Sequence, residues 1–125
     1  MRPIFLVLAI LLTTLLAMGS LLKLDSGQLP IPLFQHSDKV LHFTAYFVLT
    51  TNWLFAFMKK ITLKIKLIIS FSVLLYGTLM EFLQGFLTTY READYLDFIA
   101  NSMGVLVAFL SYKLLVGFYK MIFER

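Results

Sequence analysis

The chain has 125 residues, of which 60% are hydrophobic and 14% charged. Soluble domains run at roughly 45–50% apolar and about 25% charged, and a core this small cannot hide such an excess. The composition argues against an ordinary soluble enzyme, a disordered segment and a nucleic-acid partner. The lack of cysteine removes disulfides, thiolate metal sites and cysteine nucleophiles. The net charge of +4 is then a matter of where charges lie along a membrane chain.

A bilayer crossing takes ~20 apolar residues as a helix. Four runs meet this: about Pro3 to Leu22, Lys39 to Met58, Leu67 to Leu87 and Phe98 to Tyr119. The expected fold is therefore all-α, a single polytopic membrane domain over residues 1–125 built as a bundle of four transmembrane helices. The first run follows Arg2, and Ala17-Met18-Gly19 resembles a cleavage site. Its apolar stretch exceeds the 7–15 residues usual in a leader, so it reads as a span rather than a signal peptide.

The connections set the orientation. Leu22 to Asp38 contains Asp25, Gly27, Pro30 and Pro32 and reads as a turn-rich loop, with His36 solvated in it. Lys59 to Lys66 carries Lys59, Lys60, Lys64 and Lys66 without an acid. Thr88 to Asp97 mixes Arg91 with Glu92, Asp94 and Asp97. The all-lysine loop belongs in the cytoplasm, and Arg2, Lys120 and Arg125 fall on its side, so both termini are expected to be cytoplasmic. Trp53, Tyr112 and Tyr119 then read as aromatic anchors near the cytoplasmic interface, and Lys113 as a side chain snorkelling to it.

Polar residues in the last three spans follow helical spacing. Lys39, His42, Tyr46 and Thr50 form one stripe, Gly77, Glu81, Gln84 and Thr88 a second, and Asp97, Asn101, Gly104, Ala108 and Ser111 a third. Three such faces are expected to meet inside a bundle. At ~1.5 Å per residue, His42, Tyr46, Glu81 and Asn101 all lie within ~10 Å of the outer surface. Lys39, His42, Glu81, Gln84, Arg91, Asp97 and Asn101 thus converge at one level. Ionisable groups at membrane depth cost ~3 kcal/mol each on insertion scales and usually mark a site.

Plainer roles exist for several of them. Asp38 and Asp97 each precede a helical run and suit an N-cap. Lys39 can snorkel, Gly104 and Ala108 suit close helix packing, and Gln84 and Asn101 can bond between helices. Glu81 lies more than a turn inside its span, so neither a cap nor a loop accounts for it. It is expected to be ionised and paired with Lys39 or Arg91.

These residues also resemble a family. Asp38-Lys39-Val40-Leu41-His42-Phe43 with Tyr46 resembles the D-K-x-x-H-F-x-x-Y start of the VanZ-like membrane proteins. Glu81-Phe82-Leu83-Gln84 is similar to that family's E-x-x-Q, and Arg91, Asp97, Asn101 and Gly104 to its R-x5-D-x3-N-x2-G. The blocks occur in the family's order over roughly Asp38 to Ala108. Tyr90 stands where the family often has Gly, and Ala108 where a second Gly is common. The resemblance implies a multi-pass protein of the bacterial cytoplasmic membrane and cell envelope. The founding member is linked to resistance to the glycopeptide teicoplanin, and the family brings no settled activity.

Three functional readings stay open. In the first, an outer-face pocket of Lys39, His42, Tyr46, Glu81, Gln84, Arg91, Asp97 and Asn101 binds an amphiphile, such as a membrane lipid headgroup, a lipid-linked envelope precursor or a glycopeptide. Lys39 and Arg91 would meet its phosphate or carboxylate. In the second, His42 and Glu81 share acid–base work on a lipid or cell-wall substrate, with Asp97 orienting a partner. His42, Glu81 and Asp97 could hold a metal as a variant of this, yet no spaced metal motif is present and no cofactor is expected. In the third, the cluster only holds together an accessory membrane subunit.

Overall fold

The computed structural model describes residues 2–22, 37–89 and 92–124. Among them it holds four α-helices: α1 (Pro3–Leu21), α2 (Ser37–Ala56), α3 (Leu63–Leu87) and α4 (Tyr95–Phe123), with a 3-10 turn at Met58–Lys60. Helices α1, α3 and α4 are long and apolar enough to cross a membrane. Helix α2 does not reach that hydropathy, because Lys39, His42, Thr50, Thr51 and Asn52 fall within it.

The packing explains the difference. Helix α2 contacts each of the other three, and its largest interface is with α4. A helix shielded by its neighbours can carry polar side chains that a lipid-facing helix cannot. Helix α1 is the opposite case: it has no charged residue and only Thr13, Thr14 and Ser20 as polar ones, only Ala9 is buried, and Ile4, Val7, Leu11 and Leu15 are exposed. It lies at the edge of the bundle against α2 and α3. Thr13 tethers it to both: its Oγ1 accepts from Trp53 Nε1 at 3.2 Å and its carbonyl accepts from Tyr76 OH at 2.5 Å.

Four segments meet at one end. Arg2 N–H donates to the Ala56 carbonyl at 2.9 Å, and its guanidinium bonds the Tyr119 hydroxyl at 2.7 Å and pairs with Glu124. The start of α1 and the ends of α2 and α4 are therefore together. Lys66, early in α3, donates to the Phe109 carbonyl of α4 at 2.9 Å. Phe5, Phe55, Tyr112 and Tyr119 pack edge to face in the same region. Tyr112 is thus a buried core residue and not the interfacial anchor expected of it.

Two helices begin earlier than their apolar runs suggest. Thr62 caps α3 by accepting from Ile65 N at 3.2 Å, so Lys64 and Lys66 sit in the helix and only Lys59 and Lys60 remain in the turn. Asp94 caps α4 by accepting from Leu96 N at 2.9 Å. The cap expected of Asp97 belongs to Asp94, because the helix starts three residues before the apolar run does. At 29 residues α4 is roughly 43 Å long, more than the ~30 Å hydrocarbon layer requires.

The α2–α4 crossing rests on Gly104. A Cβ there would fall on the Phe43 carbonyl oxygen and 2.9 Å from Phe47 N, both backbone atoms that cannot turn aside. Gly117, on the same helix, has open space around it. Gly104→Ala is expected to destabilise the protein by ~1–3 kcal/mol, the usual range for overpacking. Gly117→Ala should leave thermal unfolding in detergent unchanged. Equal stability of the two variants would contradict the close crossing.

Candidate functional site

The three polar stripes meet. Tyr46, Thr50, Glu81, Gln84, Thr88 and Asn101 are buried, while Lys39, His42 and Asp97 are partly so. Tyr46 lies over Gly77, where a Cβ would come within 2.7 Å of its ring, so the missing side chain on α3 makes room for the tyrosine on α2. Arg91 lies outside the described residues.

Lys39 forms the outer part of the cluster. Its ammonium donates to Asp38 Oδ2 at 2.8 Å, to Asp94 Oδ2 at 2.6 Å and to Asp97 Oδ1. An ammonium has three donors, and three carboxylates take them. Lys39 is therefore paired with these three acids rather than with Glu81, the partner expected of it. It ties the start of α2 to the start of α4. The Lys39 ammonium holds the Asp94 carboxyl below its ordinary value.

His42 forms the inner part. Its Nδ1 is 3.0 Å from Asn101 Oδ1, and its Nε2 is 3.6 Å from Asp97 Oδ2. Asn101 Nδ2 donates to Glu81 Oε1 at 3.4 Å, and that oxygen is also 3.6 Å from His42 Nδ1. The order of donors fixes the ring. An ionised carboxylate only accepts, so Asn101 must turn its amide nitrogen toward Glu81 and its oxygen toward His42. That oxygen in turn needs a proton on Nδ1. Nε2 is left facing Asp97. The result is one chain of polar contacts, Glu81–Asn101–His42–Asp97–Lys39–Asp94, linking α3, α4 and α2.

Gln84 is one turn from Glu81 on α3 and only 2% exposed. Its Nε2 has no hydrogen-bond acceptor among the described residues. A buried donor left so costs ~1–3 kcal/mol, which makes it a natural point for a bound group.

His42, Glu81 and Asp97 can each offer one atom such that all three lie within 4.8 Å of one another, close enough for one cation. His42 also lines an open crevice at the bundle surface. This crevice, of about 170 Å³ between α1 and α2, is lined by Leu15, Leu16, Gly19, Leu41, His42 and Tyr46, among others. It was not visible in the sequence, because Thr13, Gly19 and Ser20 are too few to mark the face α1 turns to α2.

Two outcomes follow. Nitrogen-15 spectra of His42 should show Nδ1 protonated, and a neutral ring carrying its proton on Nε2 would contradict the orientation of Asn101. The depressed Asp94 carboxyl contributes stability that is present above its ordinary value of 3.8 and lost as pH falls through its lower folded value. Thermal unfolding should therefore weaken in acid, and Asp94→Asn should remove part of that dependence. An unchanged acid limb in Asp94→Asn would contradict the Lys39 pairing.

The chain matches no protein-family model, no curated protein and no solved structure.

Proposed function

We propose that this is a multi-pass protein of the bacterial cytoplasmic membrane that binds an amphiphile of the cell envelope in the outer-face polar cluster. All four helices cross, α2 being sheltered from lipid by the other three, and both termini face the cytoplasm. The lysine distribution supports that orientation. The similarity of three ordered sequence blocks to VanZ-like proteins supports the envelope setting and a link to glycopeptide resistance.

One observation carries the binding reading: the ring at the centre of the cluster, His42, is also a wall of the crevice between α1 and α2. A molecule held among lipid tails can enter there sideways and present its head to His42 without leaving the membrane. The buried Gln84 amide supplies a further donor. With Lys39 engaged by three carboxylates, the described cluster has more negative than positive groups. A head bearing hydroxyl or amine groups suits it better than a bare phosphate. Sugar and amino-acid parts of a lipid-linked wall precursor have those groups.

A second reading is favoured by the convergence of His42, Glu81 and Asp97. A divalent cation there would make the cluster a hydrolytic centre acting on the same class of amphiphile. Zinc analysis of the purified full chain, with and without His42→Ala, separates the two readings. Stoichiometric zinc lost in the variant would favour the metal centre.

A photoreactive residue at Leu41 should capture a lipid-linked wall precursor in native membranes, and one at Leu8, exposed elsewhere on α1, should capture only bulk phospholipid. Equal capture at both would contradict a defined entry. Glu81→Gln keeps size and much of the hydrogen bonding while deleting the charge. It is expected to abolish complementation of a deletion strain at unchanged membrane abundance, and full complementation would leave only the packing role. A reporter fused after Arg125 should be active in the cytoplasm, and activity outside would reverse the orientation.

A further inference from the structure

The end of the bundle opposite the polar cluster carries a different combination. Arg2, Lys59, Lys60, Lys64, Lys66, Lys113 and Lys120 lie toward it, and the one acid there among the described residues, Glu124, is paired with Arg2. The lysines are not equivalent. Lys66 turns inward, bonding the Phe109 carbonyl and lying 3.9 Å from the centre of the Phe109 ring. Lys59, Lys60 and Lys64 are exposed and form no ion pair among the described residues.

Beside them an apolar crevice of about 300 Å³ runs between α1, α2 and α3 toward the middle of the bundle. Its lining includes Thr13, Trp53, Phe57, Ile68, Ser72 and Tyr76. The two features are continuous along the chain. Phe57 is followed directly by the turn that holds Lys59 and Lys60. Lys64 precedes Ile68 by four residues and Ser72 by eight, which places it on the crevice-lining face of α3, one turn nearer the end. Trp53 and Tyr76 spend their polar atoms on Thr13, so the walls are apolar.

We propose that this end holds an anionic phospholipid, its phosphate on Lys59, Lys60 and Lys64 and one acyl chain in the crevice. The occupant follows from charge complementarity: three exposed cations, without an ion pair among the described residues, adjoin in the chain the segments that line an apolar groove. A neutral lipid would use the groove and leave the cations idle, and a soluble anion would do the reverse. The site shares no residue with the polar cluster and stands independently of the function proposed for it. Basic side chains at a membrane surface each add measurably to the attraction for anionic lipid, so three together give a clear preference.

The test is lipid retention by the purified full chain in native mass spectrometry. Phosphatidylglycerol should be retained about tenfold or more over phosphatidylcholine of the same chain length. The triple variant K59Q/K60Q/K64Q should lose that preference while keeping its helix content, since all three side chains are exposed. Ser72→Phe, which fills the crevice from an exposed position, should weaken retention of both lipids alike. Glycerol 3-phosphate, which has the charge without the tail, should not displace the bound lipid. Equal retention of the two lipids, a preference unchanged in the triple variant, or ready displacement by glycerol 3-phosphate would each overturn the proposal.

Discussion

A carboxylate more than a turn inside a lipid-bathed helix has to be enclosed by protein and met by donors, and Glu81 imposes that condition on the bundle. Its nearest described partners come from two other helices, Asn101 of α4 and His42 of α2. For both to reach it, α3 must pack on α4 directly and α2 must pack against both, with its polar stripe turned inward. That placement in turn requires Gly77 to admit Tyr46 and Gly104 to admit the backbone of α2. The small residues and the charged ones belong to one arrangement, in which close packing brings the polar atoms within bonding distance.

The enclosed helix is also the least apolar one. Lys39, His42, Tyr46 and Thr50 are tolerable in α2 because α1, α3 and α4 cover it, whereas α1 is exposed over most of its surface and carries no charged residue. Charge is divided along the axis as well. Carboxylates dominate beside Lys39, and cations dominate beside the turn between α2 and α3. The two ends differ in kind, one offering acceptors around a histidine, the other three exposed lysines that form no ion pair among the described residues.

Much of this was legible in the sequence. Period-3.6 spacing put Lys39, His42, Tyr46, Glu81, Gln84, Asp97 and Asn101 on three inward faces, because burial of polar atoms leaves the same periodic mark as burial of apolar ones. Pairing within the cluster was not legible. Spacing gives a face and a depth but not which of several acids a lysine will choose, and Lys39 took Asp38, Asp94 and Asp97 in place of Glu81. The cap of α4 was misplaced for a related reason: the apolar run begins at Phe98, while the backbone turn that needs a cap begins at Tyr95, and only Asp94 stands before it. The side of α1 that meets α2 left only a faint trace, since Thr13, Gly19 and Ser20 are too few among apolar residues to mark a face.

The most direct test of the central claim, that the His42 face of α2 lies against Asn101 of α4, uses the natural lack of cysteine. A His42→Cys/Asn101→Cys chain, treated in native membranes with a short bifunctional thiol reagent, should cross-link efficiently within one molecule. A Leu41→Cys/Asn101→Cys chain should not, because Leu41 is exposed on α2 beside the polar stripe. Efficient cross-linking of the Leu41 pair together with failure of the His42 pair would contradict the inward orientation of α2 and the cluster built on it.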